Sequence, residues 1–93
     1  MKVRWSETAL AEVDDIFAYI YENNRSAAVA VVERIGELTS LLEEFPLVGH
    51  LADEAGVRVL SVVRYPFLIF YAIDDAAREI VILHVRHTAQ ERP

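Results

Sequence analysis

Cysteine is absent from this 93-residue chain. That removes disulfides, thiolate-bound zinc and thiol nucleophiles together, and leaves nothing that ties the chain to an oxidising compartment. Glycine and proline occur three times each, so the connections between elements must be few and short. Lysine occurs once, at Lys2, and the other eight basic residues are arginines. Mean hydropathy is high, at +0.22, yet no apolar run approaches the roughly 20 residues that a membrane span requires. Met1-Lys2-Val3-Arg4-Trp5 runs into Ser6-Glu7 without the apolar stretch of a secretory leader. No nucleotide-binding glycine pattern, Walker loop, zinc spacing or nucleophile elbow occurs either. The expectation is one cytoplasmic domain over residues 1–93, with no cofactor, no metal and no membrane contact.

What is present belongs to a packed protein. Hydrophobic residues make up 54% and charged residues 26%, a balance that excludes wholesale disorder. The net charge is −6 and is unevenly spread. Residues 1–54 carry four basic and eleven acidic side chains, net −7, whereas residues 55–93 carry five basic and four acidic, net +1. Strong binding to nucleic acid needs a basic footprint that releases counterions. This chain lacks one, so no strong direct nucleic-acid binding is expected.

Val3 to Trp5 reads as a short strand. Ser6 then offers an N-cap oxygen, and apolar residues recur at Leu10, Val13, Phe17 and Ile20, with Ile16 alongside, which predicts a helix over 7–22. Asn23-Asn24-Arg25 breaks the pattern. Ser26 is expected to cap a second helix over 26–45, whose stripe is Ala28, Val31/Val32, Ile35, Leu38, Leu42 and Phe45, stopped by Pro46. So short a link folds the two helices into an antiparallel hairpin. Gly36 sits mid-helix at a cost of about 1 kcal/mol relative to alanine, either to allow close helix approach or merely tolerated. Pro46 to His50 starts a loop that Asp53 to Gly56 continues.

The second half is rich in strand formers over Val57–Val63, Phe67–Ile73 and Glu79–Val85. Arg64-Tyr65-Pro66 and Asp74 to Arg78 are tight connections, which predicts a three-stranded antiparallel meander. The fold class is therefore α+β: an N-terminal antiparallel helical hairpin on one face of a small antiparallel sheet, with Val3–Trp5 as an added edge strand. The tail from Thr88 to Pro93 is polar and expected to fray.

These strands are apolar on both faces, whereas an antiparallel sheet with one wet face alternates apolar with polar. Phe67, Ile69, Tyr71 and Ile73 oppose Leu68, Phe70 and Ala72, and Val81, Leu83 and Val85 oppose Ile80 and Ile82. Two helices cover only one face. The other leaves several hundred Å² of apolar surface, on the order of the largest patch found on monomers. A partner protein, a second copy, or the chain's own N-terminal strand and loop must cover it.

Candidate chemistry is sparse. Asp14-Asp15 and Glu43-Glu44 read as solvated helix faces. His84 and His87, three apart on a strand, point to opposite faces, which argues against joint metal ligation. Arg64, His84, Arg86 and His87 are the one set that could hold a phosphate and move a proton, as metal-independent RNA cleavage requires. The plainer reading is that Arg86 and His87 end a strand in water.

The run Arg58-x-Leu60-x-Val62-x-x-Tyr65-Pro66-Phe67-x-Ile69-Phe70-Tyr71, followed by Ile82-Leu83-His84-Val85-Arg86-His87, resembles the ParE/RelE superfamily of bacterial toxins. So do the Trp5-Ser6 start with Ala9 and Ile16, the stretch Ala27 to Ile35, and Pro46-x-x-Gly49-His50. The resemblance implies a helical hairpin on a small curved antiparallel sheet, and the toxin part of a type II toxin–antitoxin module of the plasmid-stabilisation kind. It also implies a cognate antitoxin that wraps and neutralises the chain. The antitoxin is expected to bury Leu60, Val62, Leu68, Phe70, Ile80 and Ile82. RelE-like members cleave mRNA on the ribosome with Lys, Arg and a late Tyr; ParE-like members lack that set and poison DNA gyrase. With one lysine and no tyrosine after Tyr71, this chain is more similar to the ParE branch. It is expected to inhibit gyrase by binding, with no catalysis of its own, through Arg58, Arg64, Arg78, Arg86 and His87. The alternatives are a ribosome-dependent mRNA endonuclease and a non-toxic interaction module.

Overall fold

The computed structural model of the chain describes residues 1–91. Each helix begins at a side-chain oxygen. Ser6 has an extended backbone, and its Oγ accepts from Ala9 N at 3.0 Å to start α1 (Glu7–Tyr21). The second helix, α2 (Arg25–Glu44), is capped by Asn24 rather than by Ser26. Asn24 Oδ1 accepts from Ala27 N and also from the Ser26 hydroxyl, so Ser26 is already inside the first turn. Asn24 wins because it keeps the extended backbone that an N-cap needs. The ends of both predicted stripes lie outside the core: Leu10 and Phe45 are exposed. Gly36 is exposed too, and a Cβ built on it meets nothing within 4 Å, so it is tolerated and allows no close approach.

The sheet has five strands in the order β1-β5-β4-β3-β2. They are β1 (Lys2–Trp5), β2 (His50–Leu51), β3 (Val57–Val62), β4 (Phe67–Asp74) and β5 (Glu79–His87). The meander β3-β4-β5 is antiparallel as its short turns require. Two features correct the expected sheet. The edge strand β1 runs parallel to β5, which makes the sheet mixed. The two-residue β2 also adds the opposite edge, inside what reads as a loop. The parallel pairing is open to β1 because the helical hairpin and the whole meander separate it from β5 along the chain, so no tight turn fixes their relative direction. The residues from Thr88 to Glu91, expected to fray, form a 3₁₀ turn, and Thr88 N donates to Pro66 O at 2.8 Å. The last two tail residues lie outside the described part.

The helices cover one face. Ala9, Val31, Ile35, Leu38 and Leu42 meet Val62, Phe67, Ile69, Tyr71, Ile80, Ile82 and Val85 in a single core cluster. Leu68, Phe70 and Ala72 alternate with the buried residues of β4 and remain half-buried on the other face. In β5 the alternation slips by one. Phe70 pairs with His84 but Tyr71 pairs with Ile82, so Leu83 is an extra residue. This bulge brings Val85, three positions after Ile82, back into the core.

Candidate functional site

Beyond residue 82, β5 loses β1 as a neighbour, and the first turns of α1 take over that edge. Ser6 N donates to Ile82 O, and Ser6 Oγ donates to Leu83 O at 3.1 Å. Six residues further on, Glu12 Oε1 accepts from Val85 N at 3.0 Å and lies 3.3 Å from His84 Nδ1. Its Oε2 is 3.9 Å from Arg86 Nε. Arg86 Nη2 is 3.3 Å from both ring nitrogens of His84. Being equidistant from the two, it faces the imidazole ring and not a single lone pair. The guanidinium also lies over Phe70, with Cζ 5.8 Å from the ring centre. Glu12, His84 and Arg86 thus form one half-buried cluster at the sheet edge where α1 meets β5, with His84 and Arg86 on the face that the helices leave uncovered. Replacing Glu12 by alanine strips the acceptor from the Val85 amide and is expected to cost about 1–2 kcal/mol, read as a lower urea midpoint at unchanged slope.

His84 and Arg86 form one wall of a cleft of about 490 Å³. Val57, Phe70 and Leu83 make its apolar floor, and Asp53 and Glu54 stand on the opposite wall. Those two lie in the loop between β2 and β3, which is closed by Ala52 N to Val57 O and Val57 N to Glu54 O. A second concavity, of about 700 Å³, lies on the helix side. Ile16, Tyr19 and Ile20 of α1 face Tyr65, Pro66 and Phe67 across it, with Glu12 and Asp15 on its rim. Tyr19 is 76% exposed.

The residues expected at the two sites are spread over the molecule. Val62, Ile80 and Ile82, expected against a partner, are at most 1% exposed under the chain's own helices. Leu60 packs on the same core, whereas Leu68 and Phe70 lie on the uncovered face. The six therefore do not share a surface; sequence alone could not assign pleat parity to strands that are apolar on both faces. Among the cationic residues, only Arg86 lines the cleft. Arg58 Nη1 donates to Gly49 O at 2.8 Å and holds the chain between α2 and β2. Arg64 and Arg78 stand at opposite ends of the meander, both with positive φ. His87 is on the helix side, where its ring meets Phe67 edge-on at 5.5 Å. The four residues considered for RNA cleavage are thus divided, with His84 and Arg86 in the cleft, His87 behind the sheet and Arg64 in a turn. Glu12 escaped the sequence reading. As an acid on the polar face of a helix, it gives no local sign of meeting residues 84 to 86. Among the described residues no group of three His, Asp or Glu side chains is placed to hold a metal ion, and no helix is long and apolar enough to cross a membrane.

The sequence profile of the family described as "ParE toxin of type II toxin-antitoxin system, parDE" matches residues 3–92. The chain belongs to the ParE toxin family. A curated relative from Sinorhizobium fredii, named "Putative toxin Y4kP", is 36% identical over 92 residues, covering 99% of this chain and 93% of its own. Among solved structures, the chromosomal ParDE toxin–antitoxin system of P. aeruginosa superposes with a TM-score of 0.83 at 26% identity, over 94% of this chain and 95% of that one. The toxin–antitoxin complex RelBE2 of Mycobacterium tuberculosis gives 0.58 at 28% identity, over 92% and 95%. The ParE hairpin on a curved mixed sheet is thus the architecture that these relatives share. This ParE chain is the toxin of a type II toxin–antitoxin system.

Proposed function

We propose that this ParE chain arrests growth by binding DNA gyrase, without bond-making chemistry of its own, and that a cognate antitoxin neutralises it. The observation that carries the non-catalytic half is the division of Arg64, His84, Arg86 and His87. General acid–base cleavage needs its groups within hydrogen-bond reach of one reacting phosphate, and here a β-sheet separates His87 from the pair in the cleft. Support for the antitoxin comes from the helix-side groove. It follows α1 from Glu12 to Ile20, two helical turns or about 12 Å, and its apolar lining suits an amphipathic helix laid into it. With Val62, Ile80 and Ile82 enclosed in the core, we move the antitoxin's anchor to this groove, leaving Leu68 and Phe70 on the opposite face. Of the five residues expected at the target, Arg86 is the one that lines the cleft, where it forms part of the wall and is engaged by Glu12, His84 and the Phe70 ring.

Cells expressing the chain alone are expected to lose colony-forming ability, and cells also expressing its neighbouring gene to keep it. Purified protein, incubated with gyrase and supercoiled DNA, is expected to accumulate double-strand breaks while mRNA on programmed ribosomes stays intact. Truncated mRNA in the second reaction overturns the proposal in favour of ribonuclease activity.

A further inference from the structure

We infer that the cleft on the uncovered sheet face receives a basic, aliphatic peptide segment of the protein target. This rests on the reading of the chain as a toxin that acts by binding a protein. At about 490 Å³ the cleft falls within the roughly 300–1,000 Å³ of sites that enclose a drug-sized ligand, enough for a few side chains and too little for a folded element. Its floor of Val57, Phe70 and Leu83 asks for an aliphatic group.

The charges around the floor select the rest. Asp53 and Glu54 hold one wall, and Glu12 stands behind the other. Among the lining residues Asp53 and Glu54 face Arg86, whose charge is itself offset by Glu12. A phosphate entering here meets acid on one wall, and on the other finds Arg86 already engaged with Glu12, His84 and the Phe70 ring. The N-terminal turn of α1, which also borders the cleft, is served by Ser6 Oγ at Ala9 N and carries Glu7. A cationic side chain meets Asp53 and Glu54 at an exposed, hydrogen-bonded loop without displacing any internal contact. Charge complementarity of this kind sets partner choice and register. It favours a peptide with lysine or arginine beside leucine-like groups over an RNA strand, and over a second copy of this acidic chain.

The probes are fluorescein-labelled heptapeptides of alternating lysine and leucine or alternating glutamate and leucine, and a uridine decamer RNA, each titrated against the purified chain by anisotropy. The lysine peptide is expected to bind, and the glutamate peptide and the RNA are not. Asp53→Lys with Glu54→Lys is expected to weaken the lysine peptide about tenfold or more. The same reversal of two charges at Asp14 and Asp15, beside the other groove, should change it less than about threefold. Binding of the RNA, no binding of the lysine peptide, or an equal or larger loss at Asp14 and Asp15 overturns the inference. Growth assays separate this failure from failure of the toxin reading. A wild-type chain that does not kill removes the toxin reading itself. A wild-type chain that kills, with an Asp53→Lys/Glu54→Lys variant that kills equally, removes only the cleft. The expected result is a variant that co-purifies with the antitoxin but no longer kills.

Discussion

Replacing Gly49 by alanine is expected to cost about 3 kcal/mol of folding stability, a large share of the roughly 5–15 kcal/mol that holds a small domain. A Cβ at this position would stand 2.6 Å from Tyr71 Oη, 2.8 Å from Tyr71 Cε1 and 2.9 Å from Val59 O. None of these can give way cheaply. Val59 is in β3, and Tyr71 is fully buried, with its hydroxyl accepting from Gly49 N at 2.9 Å and donating to Pro46 O at 2.8 Å. Overpacking costs about 1–3 kcal/mol, and losing hydrogen bonds of a buried group about 1–3 more. For a chain of this size the midpoint should fall by about 12 °C or more in a thermal melt. Gly36→Ala is the internal control. With nothing within 4 Å of its Cβ, it should raise stability by about 0.5–1 kcal/mol. Equal effects at the two glycines would show that the clamp around Tyr71 contributes nothing beyond helix propensity.

Tyr71 also marks where sequence reasoning stops. Its place in a strand is plain from the run of β formers around it, and so are the helices, whose apolar stripes repeat at the helical period. Those are local signals. The hydroxyl's two partners are 22 and 25 residues away, and no period in the sequence reports them. The same limit explains Glu12, which serves Val85 across 73 residues. It explains Ile80 and Ile82 as well, since either face of β5 could have been the core face until the helices took one. The bulge at Leu83 is a further case. It shifts His84 and Arg86 together with respect to Ile82, and so decides that these two, and not His87, share the cleft with Phe70. The β2 strand was hidden for a different reason. Two residues are too short to alternate, and His50–Leu51 pairs with Arg58 and Val59 only because the clamped segment from Pro46 to Gly49 aims it there.

If the antitoxin is anchored in the helix-side groove, Tyr19→Ala is expected to weaken the toxin–antitoxin complex by about 2 kcal/mol, a loss of roughly thirtyfold in affinity, while leaving the fold nearly untouched. The two halves of this expectation have separate grounds. Tyr19 is 76% exposed, and surface substitutions away from caps and networks stay within about 0.5 kcal/mol. Yet it borders an apolar groove beside Ile16 and Ile20, where a covering helix would desolvate the ring on both sides. Exposed tyrosines of this kind dominate interface energies because they bury a large, rigid surface at small entropic cost. Isothermal titration of wild type and variant with the purified antitoxin reads the affinity, and urea denaturation of the isolated chains reads the fold. An affinity unchanged within about twofold would take the antitoxin out of this groove. It would return it to the uncovered face at Leu68 and Phe70, where antitoxin and target would compete for the same cleft.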